Sequence, residues 1–148
     1  MRTQRKKRGC NSTYYRNKAD AAWAKIVRLM WQGKCAVCDK PGTDCHHLIS
    51  RAVKSTRHSL RNGILLCKLH HQFDHRCSAH GGPMGFAHWL QSAYPELSAW
   101  CESNKNRLRP DLTTSKDAAE CLADILRMIE ANELQATQAP EYQRGIYG

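Results

Sequence analysis

The chain has 148 residues, a formal net charge of +10 at pH 7 and a sequence pI ≈ 9.4. It is about one domain long, and no run is long and apolar enough to span a bilayer. Its N-terminal "MRTQRKKRGC" is charged with no apolar stretch after it, so a secretory signal is not expected and the eight cysteines are read as reduced thiols in an intracellular setting, where Cys-x-x-Cys means metal before disulfide.

The charge is uneven. Residues 1–76 hold 17 Lys/Arg against 4 Asp/Glu, and residues 77–148 hold 6 against 9. One half is built to meet a polyanion, and nucleic acid is the leading partner, because counterion release drives such binding. A solvated basic face or an anionic membrane surface is the plainer alternative.

Residues 1–16 read as a flexible basic arm, with Arg2, Arg5, Lys6, Lys7 and Arg8 crowded together and no acid opposing them. "NKADAAWAKIVRLMWQG" reads as the first helix. Asn17 would cap it, Asp20 would lie near its positive end, and Gly33 would end it. Ala19, Ala22, Trp23, Ile26, Val27 and Met30 recur at helical spacing and predict a core stripe. "CAVCDKPG" reads as a tight knuckle with a Pro-Gly turn. "CHHLIS" and "NGILLC" read as two strands of a hairpin, joined by the basic connection "RAVKSTRHSLR". "KLHHQFDHR" follows as a short helix.

Beyond Gly81–Gly82, "PMGFAHWLQSA" predicts a helix with Pro83 in its first turn, and "PELSAWCESN" predicts another. Phe86, Trp89, Leu90, Leu97 and Trp100 are expected to pack on the metal-rich region. "TSKDAAECLADILRMIEANEL" is amphipathic, with Ala118, Leu122, Ile125 and Ile129 on one face and a capping box at Thr114 and Asp117. Residues 136–148 lack periodicity and read as a flexible tail.

Two metal sets are legible between Cys35 and His75. Cys35-x-x-Cys38 and Cys67-x-x-His70 each put two soft ligands on one turn, and together they would close a tetrahedron around a structural zinc with no open position. Such an ion would tie the chain before the first strand to the chain after the second. Cys45 or Cys77 is the alternative to His70 as fourth ligand, and Cys10, Cys101 and Cys121 are read as arm or core residues.

His46, His47, His71 and His75 remain. His71 and His75 are four apart and would share a helix face. His46 and His47 are neighbours on a strand and would point to opposite sides, one towards an ion and one towards a substrate. Asn62, at the start of the second strand, is placed to hold a histidine ring through its amide. His58 and His88 are read as surface or core residues. A purely structural knuckle is the plainer reading of the whole cluster, but it gives no reason for the spare histidines.

"HH", an asparagine fifteen residues on, and "HxxxH" starting nine further on resemble the HNH endonucleases of the His-Me finger (ββα-metal) group, especially those with a zinc site of the CxxC…CxxC or CxxC…CxxH type. The likeness covers about residues 30–95, and the "HG.P..F..WL" pattern after it is similar to HNH proteins of bacteriophages. The resemblance implies an α+β fold: a ββα-metal core with a zinc knuckle, packed by flanking helices. The expected organisation is a 1–16 arm, a 17–105 nuclease domain, a 106–135 amphipathic helix and a 136–148 tail. It also implies His46 as a ligand of the catalytic metal and His47 as general base. Asn62 would position the base's ring and loop, and His71 and His75 would be further metal ligands, with His80 or Asp74 the alternatives at the last position.

The function so implied is metal-dependent DNA endonuclease activity of low sequence specificity, with a structural Zn2+ and one catalytic divalent ion (Mg2+, Mn2+, Ni2+ or Zn2+). Arg5, Lys6, Lys7, Arg8, Arg51, Lys54, Arg57 and Arg61 are the expected DNA-binding residues. The substrate would be duplex DNA or branched or single-stranded forms, in the cytoplasm of a bacterial host and phage- or prophage-encoded. No membrane partner is expected, and oligomeric state is left open. The competing expectation is a zinc-dependent nucleic-acid-binding or regulatory protein that cuts nothing; an RNA-cutting enzyme is a third.

Overall fold

A computed structural model describes residues 7–107 and 114–147. Among these residues, helices α1 (Thr13–Met30), α2 (Pro83–Ala93), α3 (Pro95–Asn104), α4 (Ser115–Glu130) and α5 (Ala139–Tyr147) surround a two-stranded antiparallel sheet. Its strands are β1 (Asp44–His47) and β2 (Gly63–Leu66), paired so that His46 faces Ile64 and His47 faces Gly63. Single turns at Leu60–Asn62 and Ala136–Gln138 and a wide five-residue helical turn at Leu69–Phe73 join them. The class is α+β, and no described helix is long and apolar enough to cross a membrane.

Helix α1 begins four residues before Asn17, so Asn17 lies inside it and Ser12, in extended backbone, precedes it. The flexible-arm expectation is corrected at residues 13–16. Local contacts explain the extension: Arg8 and Lys18 lie over the Tyr14 ring at 4.1 and 5.0 Å. Cys10 O and Asn11 Oδ1 accept the backbone N–H groups of Lys116 and Ser115, which docks the segment on the start of α4. Arg2, Arg5 and Lys6 lie outside the described residues. The helix ends as expected, with Gly33 at φ +69 and its N–H donated to Arg28 O.

The expected stripe is core: Ala19, Trp23, Ile26 and Val27 are buried against Ala118, Ala119, Cys121, Leu122 and Ile125 of α4. Thr114 and Asp117 form the expected capping box, exchanging bonds of 3.1 and 3.2 Å. The same face of α1 also backs the hairpin. Trp23 Nε1 donates to Ser59 O at 2.9 Å, and Trp31 Nε1 donates to Gly63 O at 3.1 Å. Gly63 is required by this closeness, because a Cβ there would stand 2.3 Å from Val27 Cγ2.

A second cluster joins Cys35, Ile64, Leu66, Phe86 and Leu90, with Trp89 and Leu97 half-buried against it. Trp100 departs from expectation. The helix breaks at Tyr94 ahead of Pro95, Leu97 in the first turn of α3 reaches this cluster, and Trp100 lines a basic cleft instead.

The 136–148 tail is likewise corrected, because residues 139–147 form α5. Ala139 is buried, Gln143 Oε1 accepts from Leu60 N at 2.7 Å, and Gln143 Nε2 donates to His58 O at 2.8 Å. The segment is anchored by a polar residue that satisfies two backbone groups, which leaves no apolar periodicity to read.

Candidate metal centres

Cys35, Cys38, Cys67 and His70 come together as one group. Cys35 Sγ is 3.8 Å and Cys67 Sγ 3.3 Å from His70 Nδ1, and Cys38 Sγ is 3.9 Å from Cys67 Sγ. Zinc–sulfur and zinc–nitrogen bond lengths imply tetrahedral edges of about 3.5–3.8 Å, so the donor set and its spacing fit such an ion. The knuckle closes because Asp39, at φ 61, returns its N–H to Cys35 O, and Ala36 N bonds Leu65 O to pin the turn on β2. Burial pushes the Cys35 thiol up, but N–H groups of Cys67, Val37 and Cys38 outweigh it and hold the thiol below its ordinary value. Neither alternative fourth ligand joins the group: Cys45 Sγ donates to Ala24 O, and Cys77 packs against the second core cluster.

His46, His71 and His80 form a second group that could hold a metal ion. Their ring centroids are 4.8–5.2 Å apart and each pair meets edge-on. His46 comes from β1, His71 from the wide turn, and His80 from the loop beyond it. Two backbone bonds, Ala79 N to His70 O and His80 N to His71 O, lay that loop against the turn. Buried Ser78 holds its bend by accepting the N–H groups of Gly81 and Gly82.

His75, expected as third ligand, is exposed and outside the group, and His80 stands in its place. The helical turn ends at Phe73, so the four-residue spacing from His71 to His75 is not helical. Asp74 Oδ1 instead accepts the N–H groups of Arg76 and Cys77.

Two properties suit His46 and His71 to bind an ion. Burial, then the neighbouring imidazoles, push the pKa of His46 down to about 4, which keeps its ring neutral. His71 Nδ1 lies 2.8 Å from Asp44 Oδ2, which leaves Nε2 as the donor for an ion. Asp44 was not singled out in the sequence, although its place two residues before His46 on one strand puts both on one face. With His80 exposed, the group is open on one side, unlike the four-ligand knuckle.

His47 faces away from this group, as strand alternation requires. Its ring stacks on Trp23 at 3.8 Å and 9°. Its Nε2–H donates to Arg57 O at 2.9 Å, which leaves Nδ1 with the lone pair. Burial pushes its pKa down to about 4, against the opposing effect of that carbonyl. Asn62 is fully buried and makes no bond to a histidine ring, which corrects that part of the expectation. It latches the 48–62 loop: Oδ1 accepts Ile49 N at 2.6 Å, and Nδ2 donates to Ile49 O and Thr56 O. That loop carries the Arg57 carbonyl on which His47 rests.

No protein-family model, curated protein or solved structure matches this chain.

Of the expected DNA-binding residues, Arg5 and Lys6 lie outside the described residues, and Lys7, Arg8, Arg51 and Lys54 are exposed. Arg57 is not available in the way expected. Its guanidinium grips Asp20 at 3.0 and 2.7 Å, while His58 Nε2 donates to the same carboxylate at 2.8 Å. Arg61 faces Glu141 at 3.3 Å. His88 is exposed on α2.

Proposed function

We propose that this protein is a metal-dependent DNA endonuclease of the HNH type, in which β1, β2 and the wide turn form a ββα-metal unit. The observation that carries the reading is the divergence of two adjacent residues. His46 joins His71 and His80 in an open three-imidazole group, while His47 presents a neutral ring held from behind by a carbonyl. A divalent ion bound by the three imidazoles would supply charge and Lewis acidity at a scissile phosphate. The residues of the chain supply the rest. His47 Nδ1 takes a proton from the attacking water, the bond to Arg57 O keeps the ring from turning, and Trp23 keeps it in plane. Exposed Arg51 and Lys54 meet flanking phosphates without reading bases. Neutral nitrogen donors favour Mn2+, Ni2+ or Zn2+, and Mg2+ remains compatible through phosphate and water oxygens. The Cys35–Cys38–Cys67–His70 group would hold a structural zinc that ties the two ends of the hairpin together.

The test is nicking of supercoiled plasmid with each of these ions, by the wild type and by His47→Ala and His47→Gln. Both variants should bind DNA and lose cleavage by about 100-fold or more. The second reading is a zinc-dependent nucleic-acid-binding protein without catalysis. It is favoured by the two contacts of His47, which a purely structural histidine would also make. A wild type that never nicks plasmid or RNA with any of the ions decides for it.

A further inference from the structure

On the outer side of the loop that holds His47 lies a cleft of about 520 Å³. Arg51, Lys54, Arg57 and Arg61 line it from the loop. Arg16 of α1, Arg107 after α3 and Arg144 of α5 face it from three other elements that lie far apart in sequence. No carboxylate lines it among the described residues. The acids behind it are Asp20, engaged by Arg57 and His58, Glu141, within reach of Arg61 and Arg144, and Asp117, bonded to Thr114 at the rim. Among the described residues, three acids against seven cations leave a positive concavity, and Arg16, Arg51, Lys54 and Arg107 have no carboxylate partner there.

The cleft is also a built feature. Ser55 Oγ donates to Arg107 O at 2.7 Å and bridges its rim. Buried Asn104 donates to Trp100 O at 2.7 Å and accepts from Arg107, which holds the base of Trp100. The start of α4, at the same place, is already capped by Thr114 and by residues 10–11, so the side-chain cations carry the charge.

We propose that this cleft binds an unpaired nucleic-acid strand, with its phosphates on Arg16, Arg51, Lys54 and Arg107 and a base against Trp100. A positive groove with an aromatic platform is the arrangement that single strands require. The volume admits on the order of one or two nucleotides, and a concave site of that size excludes the width of a duplex. The inference deepens the nuclease reading by naming the form of its substrate beside the cut, but its test does not need cleavage.

Binding is followed by fluorescence anisotropy, without added divalent ion, using a labelled oligothymidylate, a duplex of equal length and thymidine triphosphate as competitor. The variants are Arg16→Gln/Arg51→Gln, which changes two exposed side chains and should leave the melting temperature unchanged, and Trp100→Leu. Each should weaken strand binding by about 10-fold. The double arginine variant should also lower the salt slope by about 1.4, the value for two phosphate contacts on a single strand. The inference is overturned if the wild type binds no strand, if the arginine variant binds it undiminished, if the duplex is preferred, or if the triphosphate competes as well as the strand. Strand binding lost in these variants while the wild type nicks no plasmid would retain the cleft and remove the nuclease. Nicking with cleft variants that bind normally would do the reverse.

Discussion

Asp44 Oδ2 lies 2.8 Å from His71 Nδ1, and Lys68 Nζ lies 2.9 Å from the same oxygen. Burial works to raise the Asp44 carboxyl, but these two partners outweigh it and keep it ionised. The carboxylate therefore sets which nitrogen of His71 can face an ion. Asp44→Asn should keep the fold and weaken divalent-ion binding at the three-histidine group by about 10- to 100-fold. Titration calorimetry with Mn2+ or Ni2+ would show it, and an unchanged affinity would remove Asp44 from the site.

The knuckle should behave differently from the histidine group on metal removal. Its four donors flank both ends of the hairpin, so an ion there is part of folding. Cys35→Ser should release one zinc per chain, measured by atomic emission, and abolish the cooperative thermal transition seen by circular dichroism. His80→Ala should leave that transition in place.

Asn62→Ala tests the loop latch. It would leave Ile49 N, Ile49 O and Thr56 O without their partner in a buried setting. A loss of about 3 kcal/mol or more is expected in urea unfolding. Protease sensitivity should appear first at residues 50–58.

A pH dependence follows from Asp20. Burial works to raise its carboxyl, but hydrogen bonds from Arg57 and His58 prevail and hold it below the ordinary range. A depressed carboxyl stabilises the fold above its unfolded value, about 3.9, and that contribution is lost as pH falls through the lower folded value. Asp20→Asn should therefore be less stable than the wild type at pH 7 by about 1–2 kcal/mol. The gap should close as the solution is acidified below pH ~4. Melting curves across that range would check it, and a gap independent of pH would contradict it.

Much of this architecture was legible in the residues themselves. The Cys-x-x-Cys and Cys-x-x-His spacings placed the knuckle, and strand alternation separated His46 from His47. The apolar stripes of α1 and α4 identified the main core. What escaped was set by polar contacts that have no period. Helix α5 hangs on Gln143, the third imidazole depends on a Ser78 turn that presents His80, and Asp44 acts through one hydrogen bond across the sheet. The spacing from His71 to His75 misled because it assumes an ordinary helix, and the chain there makes one wide turn and stops.

The indole of Trp23, upstream of residues 30–95, hangs on the carbonyl of Ser59, and Trp23 and Val27 close over Gly63, on either side of Asn62. The stretch that resembles a nuclease motif is therefore not self-supporting. Excised at residues 30–95, it would lose the scaffold that shapes it, together with the aromatic plate under His47. The smallest autonomous fragment must begin upstream of Trp23 and retain α4, so the two metal-ligand groups and the helical frame are inherited, transplanted or lost together.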